Sequence, residues 1–216
     1  MNAAAPSYLA PYDQAIRAHG CDFPALLWAD PAGQALRFAV LASVAPMAER
    51  RIADLGSGKA DLLDWLVAHD VTYAHYLGVE AMAEFDAAAR DRARAKQLPD
   101  AAFVRADFVA DPTLFDRIVG EHELDTLVFS GSLNTLTEAQ ALAVLERAWL
   151  ALAGRPGASL AFNFLVSGTW PQRATDLHRR DPCTWLAWAL ARTPLVVYCQ
   201  YYLGGHDGTL VMVRPA

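Results

Sequence analysis

The residues best placed to do chemistry form the run Arg51-Ile52-Ala53-Asp54-Leu55-Gly56-Ser57-Gly58-Lys59-Ala60-Asp61-Leu62-Leu63. Three later points answer it: Glu80, the pair Asp107-Phe108, and the segment Ser130-Gly131-Ser132-Leu133-Asn134. In the first run an apolar strand ends in an acid, turns on two glycines and restarts as a helix, with Leu62, Leu63 and Leu66 at helical spacing. Glycines at such a turn let a ligand approach the backbone, and the first N–H groups of the helix are unpaired. A nucleotide-like ligand is therefore expected against Asp54, Gly56, Ser57 and Gly58. Glu80 follows the turn by a little over twenty residues, the separation at which an acid accepts hydrogen bonds from ribose hydroxyls. Asp107 is suited to an adenine amino group, with Phe108 over the ring. The same two acids would also serve as caps for the helices that follow them. Ser130, Ser132 and Asn134 are small and polar; they either touch the ligand or a second substrate, or only shape their turn.

These groups act together only if the fold brings them to one edge. From Arg51 onward the sequence alternates strand and helix. Strands are expected at Arg51–Leu55, Tyr73–Val79, Ala102–Ala106, Leu124–Phe129, Ala158–Leu165, Leu195–Tyr201 and Thr209–Arg214. Helices are expected at Lys59–His69, Met82–Gln97, Pro112–Val119, Thr137–Leu152 (with Thr137 as its cap) and over residues 181–192. Such alternation produces a mainly parallel sheet with helices on both faces, and ligands of these sheets sit beyond the carboxyl ends of the strands. Asp54, Glu80, Asp107 and Ser130 each stand at such an end. Gly204-Gly205-His206-Asp207-Gly208 reads as a hairpin turn, which makes the last strand antiparallel to the one before it. Ahead of the sheet, residues 7–19 read as an amphipathic helix with Tyr8, Leu9, Tyr12 and Ile16 on its apolar side. A second helix, capped by Asp30-Pro31, carries Gln34 and Arg37, with Leu36, Val40 and Leu41 facing inward.

Composition narrows the classes. The chain has 216 residues, 54% of them hydrophobic and 19% charged, enough for a large core and unlike a disordered chain. A net charge of −6 disfavours a nucleic-acid partner, and the basic run Arg90–Lys96 reads as a solvated helix face. Three unpatterned cysteines, Cys21, Cys183 and Cys199, give no metal site and suit reduced thiols. With no membrane-length apolar run and no signal-like leader, the expectation is a cytoplasmic protein without a membrane partner.

Asp54-Leu55-Gly56-Ser57-Gly58, followed by Glu80 at the end of the next strand, resembles the cofactor core of class I S-adenosylmethionine-dependent methyltransferases. Tyr198 to Val213 resembles that family's closing pair of strands, and the likeness covers about residues 52–213. His19-Gly20, Leu27-Trp28, Gln34, Arg37-Phe38, Ser130-Gly131 and Ala161-Phe162-Asn163-Phe164 resemble a group of small bacterial members of the superfamily. The resemblance implies a Rossmann-like α/β fold with a seven-stranded, mostly parallel sheet in the order 3-2-1-4-5-7-6 and an antiparallel last strand. It implies S-adenosyl-L-methionine as cofactor, with residues 49–216 as the binding domain and residues 1–48 as a helical lid. Gly56 and Gly58 would pass the methionine part, Glu80 the ribose, and Asp107 with Phe108 the adenine. Ala60 departs from the glycine common at its position.

On this reading the protein is a methyltransferase of a small-molecule acceptor, a monomer or homodimer, with Gln34, Ser57 and Ser130 beside the cofactor. Arg37 would pair with the carboxylate of the methionine part, a bidentate task that suits arginine. Trp28, Trp170, Trp185, Trp188, Tyr201 and Tyr202 supply aromatic rings for the cover and walls, while Trp185 and Trp188 also fit a plain core role. Candidates at the reacting centre are Asn134, Trp28, Tyr201 and His178, with Asp176, His206 and His19 as other possible bases. No Asn-Pro-Pro-Tyr-like segment follows the fourth strand, which argues against amino methylation of a nucleic-acid base. Two other uses of the same pocket stay open: a cyclase that turns S-adenosylmethionine into azetidine-2-carboxylate and methylthioadenosine, and an inert regulatory binder.

Overall fold

A strand whose neighbours along the chain are all apolar must be covered on both faces. In the computed structural model of the chain, which describes residues 6–168 and 177–216, seven strands form one sheet, buried in its middle and half-buried at its two edges. They are β1 (Arg51–Leu55), β2 (His75–Glu80), β3 (Ala101–Arg105), β4 (Thr126–Ser130), β5 (Ser159–Leu165), β6 (Val196–Cys199) and β7 (Asp207–Val213). Their order is β3-β2-β1-β4-β5-β7-β6, with β7 antiparallel to both neighbours and every other pairing parallel. That is the expected topology.

The helices are α1 (Ala10–His19), α2 (Pro31–Val44), α3 (Asp61–Ala68), α4 (Ala83–Lys96), α5 (Leu114–Glu121), α6 (Glu138–Ala151) and α7 (Pro182–Leu190). Alternate strand residues serve the two layers. Ile52, Val128, Ala161 and Val211 meet Phe38 and Leu41 of α2 and Leu62 and Leu66 of α3. Leu127, Phe129, Leu160 and Phe162 point the other way, into a larger core with α5, α6 and α7. Trp185 lies wholly inside that core against Phe162 and Phe164, so its role is packing.

Local signals set several element ends. Asp30 accepts from the Gly33 N–H at 2.7 Å, and Thr137 forms a reciprocal box with Gln140, so both caps stand where their residue types put them. Other ends move inward. Helix α3 begins at Asp61 because Ala60 adopts a left-handed backbone with φ of 60°. The expected turn over Gly204–Gly208 is a short 3-10 turn at Leu203–Gly205, and β7 already starts at Asp207. Leu36 faces solvent, leaving Phe38 and Leu41 to pack. The basic face of α4 is knitted to α3 rather than merely solvated: Arg92 pairs with Asp61 and Lys96 with Asp64.

Packing divides the first 48 residues. Helix α2 belongs to the sheet layers, whereas α1 and the 3-10 turn Phe23–Leu26 pack on each other and on Phe85. The stretch ahead of α2 thus packs mainly apart from α2. Among the described residues no helix is long and apolar enough to cross a membrane.

Candidate functional site

The glycine turn after β1 is bound down by its own backbone. The Gly56 and Ser57 N–H groups both donate to the Val79 carbonyl, at 2.8 and 3.1 Å. Gly56 has φ of +79°, and a Cβ there would fall 2.4 Å from Cβ of Ser132, so only glycine fits. The Gly58 N–H donates to Glu80 Oε2 at 2.8 Å, and Met82 N–H donates to Oε1 at 2.8 Å. What the turn offers a ligand is therefore close approach and the Ser57 hydroxyl, not a row of free N–H donors. Ser57 Oγ is buried and has no partner among the described residues. Behind the turn, Tyr76 donates its hydroxyl to Asp54 at 2.6 Å. Burial pushes the carboxyls of Asp54 and Glu80 up to about 7 each. The Tyr76 bond opposes that rise at Asp54, and the Met82 and Gly58 N–H groups oppose it at Glu80.

At the end of β3, Asp107 Oδ1 accepts from the N–H groups of Val109 and Ala110, and Oδ2 accepts the Tyr8 hydroxyl at 2.7 Å. Asp107 thus caps the turn after it while its other oxygen stays in the pocket. The loop after β4 is held from below. Asn163 accepts the Gly131 N–H at 2.8 Å and donates to Ser130 at 3.2 Å, and Ser132 donates to the Leu55 carbonyl at 2.5 Å. Asn134 accepts the Leu165 N–H through Oδ1. The buried Arg180 donates to the carbonyls of Leu133 and Leu136 and lies over the Trp185 ring.

Over these edges lies the N-terminal cover. Tyr8, Tyr12, Leu26 and Trp28 face Glu80, Asp107 and Ser130 across one pocket, about 940 Å3 counting its open mouth. The Trp28 ring presses on Gly131, where a Cβ would come within 2.5 Å of it, and carries the Arg37 guanidinium 4.8 Å from its centroid. Lys59 donates to the Cys21 carbonyl at 2.6 Å and ties the cover to the glycine turn.

Gln34, Trp28, Asp54, Gly56, Ser57, Gly58, Glu80, Asp107, Phe108, Ser130 and Asn134 all line this pocket. Three expected site residues do not. Arg37 is turned to Asp207, which it grips at 2.6 and 2.7 Å in a buried bidentate pair, so its fork is spent inside the protein. Tyr201 is 78% exposed, beyond the end of β6. His178 is exposed on an adjoining surface groove that shares Thr135 and Leu177 with the pocket. His206 stands 2.5 Å from Asp207, and His19 is exposed. Trp170 and Asp176 lie outside the described residues. Sequence reasoning missed Asp61, Phe85, Thr135 and Leu177 as lining groups, and Asn163 and Arg180 as the supports of the loop. The spacing of Tyr8 and Tyr12, one helical turn apart, was a usable signal for the cover.

No protein-family model matches the sequence, and no curated protein matches it. Solved structures do. The S-adenosylmethionine-dependent methyltransferase SibL in its apo form has a TM-score of 0.64 at 16% identity, covering 97% of this chain and 70% of its own. The glycopeptide N-methyltransferase MtfA, complexed with S-adenosyl-L-homocysteine, has a TM-score of 0.61 at 17% identity, covering 94% and 97%. Phosphoethanolamine N-methyltransferase 1 of Haemonchus contortus has a TM-score of 0.69 at 12% identity, covering 97% of this chain and 49% of its own. At such identities likeness speaks for architecture, and this chain has the fold of the class I S-adenosylmethionine-dependent methyltransferases.

Proposed function

We propose that this protein binds S-adenosylmethionine in the pocket and directs its methyl group to a small-molecule acceptor. The observation that carries this reading is the meeting of the glycine turn, Glu80 and Asp107 in one pocket beneath an aromatic cover. The residues fit the cofactor. Glu80 keeps lone pairs beyond those taken by Gly58 and Met82, and these suit ribose hydroxyls. Asp107 Oδ2 suits the adenine amino group, with Phe108 beside the ring. The partnerless Ser57 hydroxyl and Gln34 serve the methionine part, the task first assigned to Arg37.

The cofactor supplies a methyl group already activated by a positively charged sulfur. The protein's own work is then to orient the acceptor and keep water out. The cover over residues 6–30 excludes water. Trp28 gives an aromatic wall, and Asn134, whose Oδ1 is occupied by Leu165, has its amide N–H groups left to orient an acceptor atom.

The test is to incubate pure protein with S-adenosylmethionine alone and with metabolite pools, followed by mass spectrometry. S-adenosylhomocysteine formed only with the pools supports methyl transfer. Methylthioadenosine formed without them would replace this reading by self-cyclisation, and tight binding with no turnover would replace it by a regulatory role.

A further inference from the structure

We infer that the acceptor is uncharged or an amine, and not a carboxylate or a phosphate; this rests on the methyltransferase reading of the same pocket. The ionisable groups lining the pocket are Asp54, Asp61, Glu80 and Asp107, with Tyr8 and Tyr12. Among the described lining residues there is no lysine, arginine or histidine. Arg37, Lys59 and Arg92 are committed to Asp207, the Cys21 carbonyl and Asp61, and His178 lies on the adjoining groove. The glycine turn gives no substitute, because the N–H groups of Gly56, Ser57 and Gly58 already have acceptors.

The cofactor's own carboxylate enters paired with its α-ammonium, whereas an anionic acceptor would lose its hydration, meet the single sulfonium charge and no protein cation among the described residues, and lie beside Asp54, Asp61, Glu80 and Asp107. A neutral or amine acceptor meets neither problem. Its body lies against aromatic and aliphatic walls, and Asn134 and Thr135 answer a single polar group. The charge balance of the step also favours an amine. An amine that enters as an ammonium first gives a proton to solvent; as its freed lone pair then forms the new bond to the methyl carbon, the carbon–sulfur bond breaks and its electron pair stays on sulfur. The positive charge passes from sulfur to nitrogen inside an acid-lined pocket, and the new ammonium then releases a proton to solvent.

Three probes of one shape test this: tryptamine, 3-propylindole and indole-3-propionate, titrated calorimetrically into the wild-type protein with and without S-adenosylhomocysteine. Tryptamine and 3-propylindole are expected to bind at least tenfold more tightly than indole-3-propionate. Thr135→Lys, which sets a cation in the wall, is expected to narrow that gap to less than threefold. Equal or tighter binding of indole-3-propionate to the wild type, or binding of none of the three, overturns the inference. Failure of S-adenosylhomocysteine to bind would instead overturn the methyltransferase reading, and the probe order without it still decides the charge of the guest.

Discussion

Replacing Arg37 separates a structural role from a ligand-reading one. Its Nε and Nη2 donate to the two oxygens of Asp207 at 2.6 and 2.7 Å, with side-chain exposures of only 7% and 2%. The pair joins α2 to the first residue of β7, 170 positions away in sequence. Arg37→Leu leaves a buried carboxylate with His206 beside it but without its guanidinium, and breaking a buried pair in this way costs about 3–5 kcal/mol. For a chain of this size each kcal/mol moves the melting midpoint by roughly 2–4 °C, so a fall of about 6–20 °C is expected. Arg37→Leu combined with Asp207→Leu removes both charges and is expected to recover more than half of that loss. Thermal and urea unfolding of the three proteins, each also titrated with S-adenosylhomocysteine, reads the effect. If Arg37→Leu melts within about 2 °C of the wild type while its ligand affinity drops tenfold, the internal-pair reasoning is refuted and Arg37 reads the ligand.

Other outcomes follow from the same geometry. Asp54 and Glu80 hold their protons up to about 7 in the fold, against ordinary values of 3.8 and 4.5. Between those limits the unfolded chain binds fewer protons, so the stability of the ligand-free protein falls as pH rises from about 4 to about 7, and denaturant midpoints will show it. Asp54→Asn is expected to flatten that slope. Ribose hydroxyls favour the ionised Glu80, so S-adenosylhomocysteine affinity rises over the same interval, by up to about tenfold per pH step below the group's titration, and Glu80→Gln weakens it and removes the rise. Gly131→Ala forces φ of +75° on a residue with a Cβ aimed 2.5 Å from the Trp28 ring, so tryptophan fluorescence shifts and stability drops by about 1–3 kcal/mol. Tyr8→Phe removes the bond to Asp107, costing about 0.5–1.5 kcal/mol and speeding ligand release in stopped-flow traces.

The sheet was legible because its signals are local. Strand periodicity, helix caps such as Thr137 and Asp30, and an acid at the end of each of the first three strands are written within a few residues of one another. The row of Asp54, Glu80 and Asp107 follows directly once the strands are parallel. What could not be read are partnerships between distant stretches. Arg37 looks like a ligand for a carboxylate, and it is one, but the carboxylate belongs to Asp207. Lys59, at the expected start of the helix after β1, gives no hint that a carbonyl of the cover, Cys21, will meet it. Ala60 marks the opposite case: a missing glycine is tolerated because a buried methyl packed with Leu63, Tyr76 and Ala89 offsets a left-handed backbone. Tyr201 shows that an aromatic residue at a strand end carries no information on which side it faces until the turn is built.

The most direct test of the central claim is calorimetric titration of the purified chain with S-adenosylmethionine and S-adenosylhomocysteine, repeated on Glu80→Ala. One molecule is expected to bind per chain, with binding lost or at least tenfold weaker in the variant while the variant stays folded. Absence of binding to the wild type, or undiminished binding to Glu80→Ala, would contradict it.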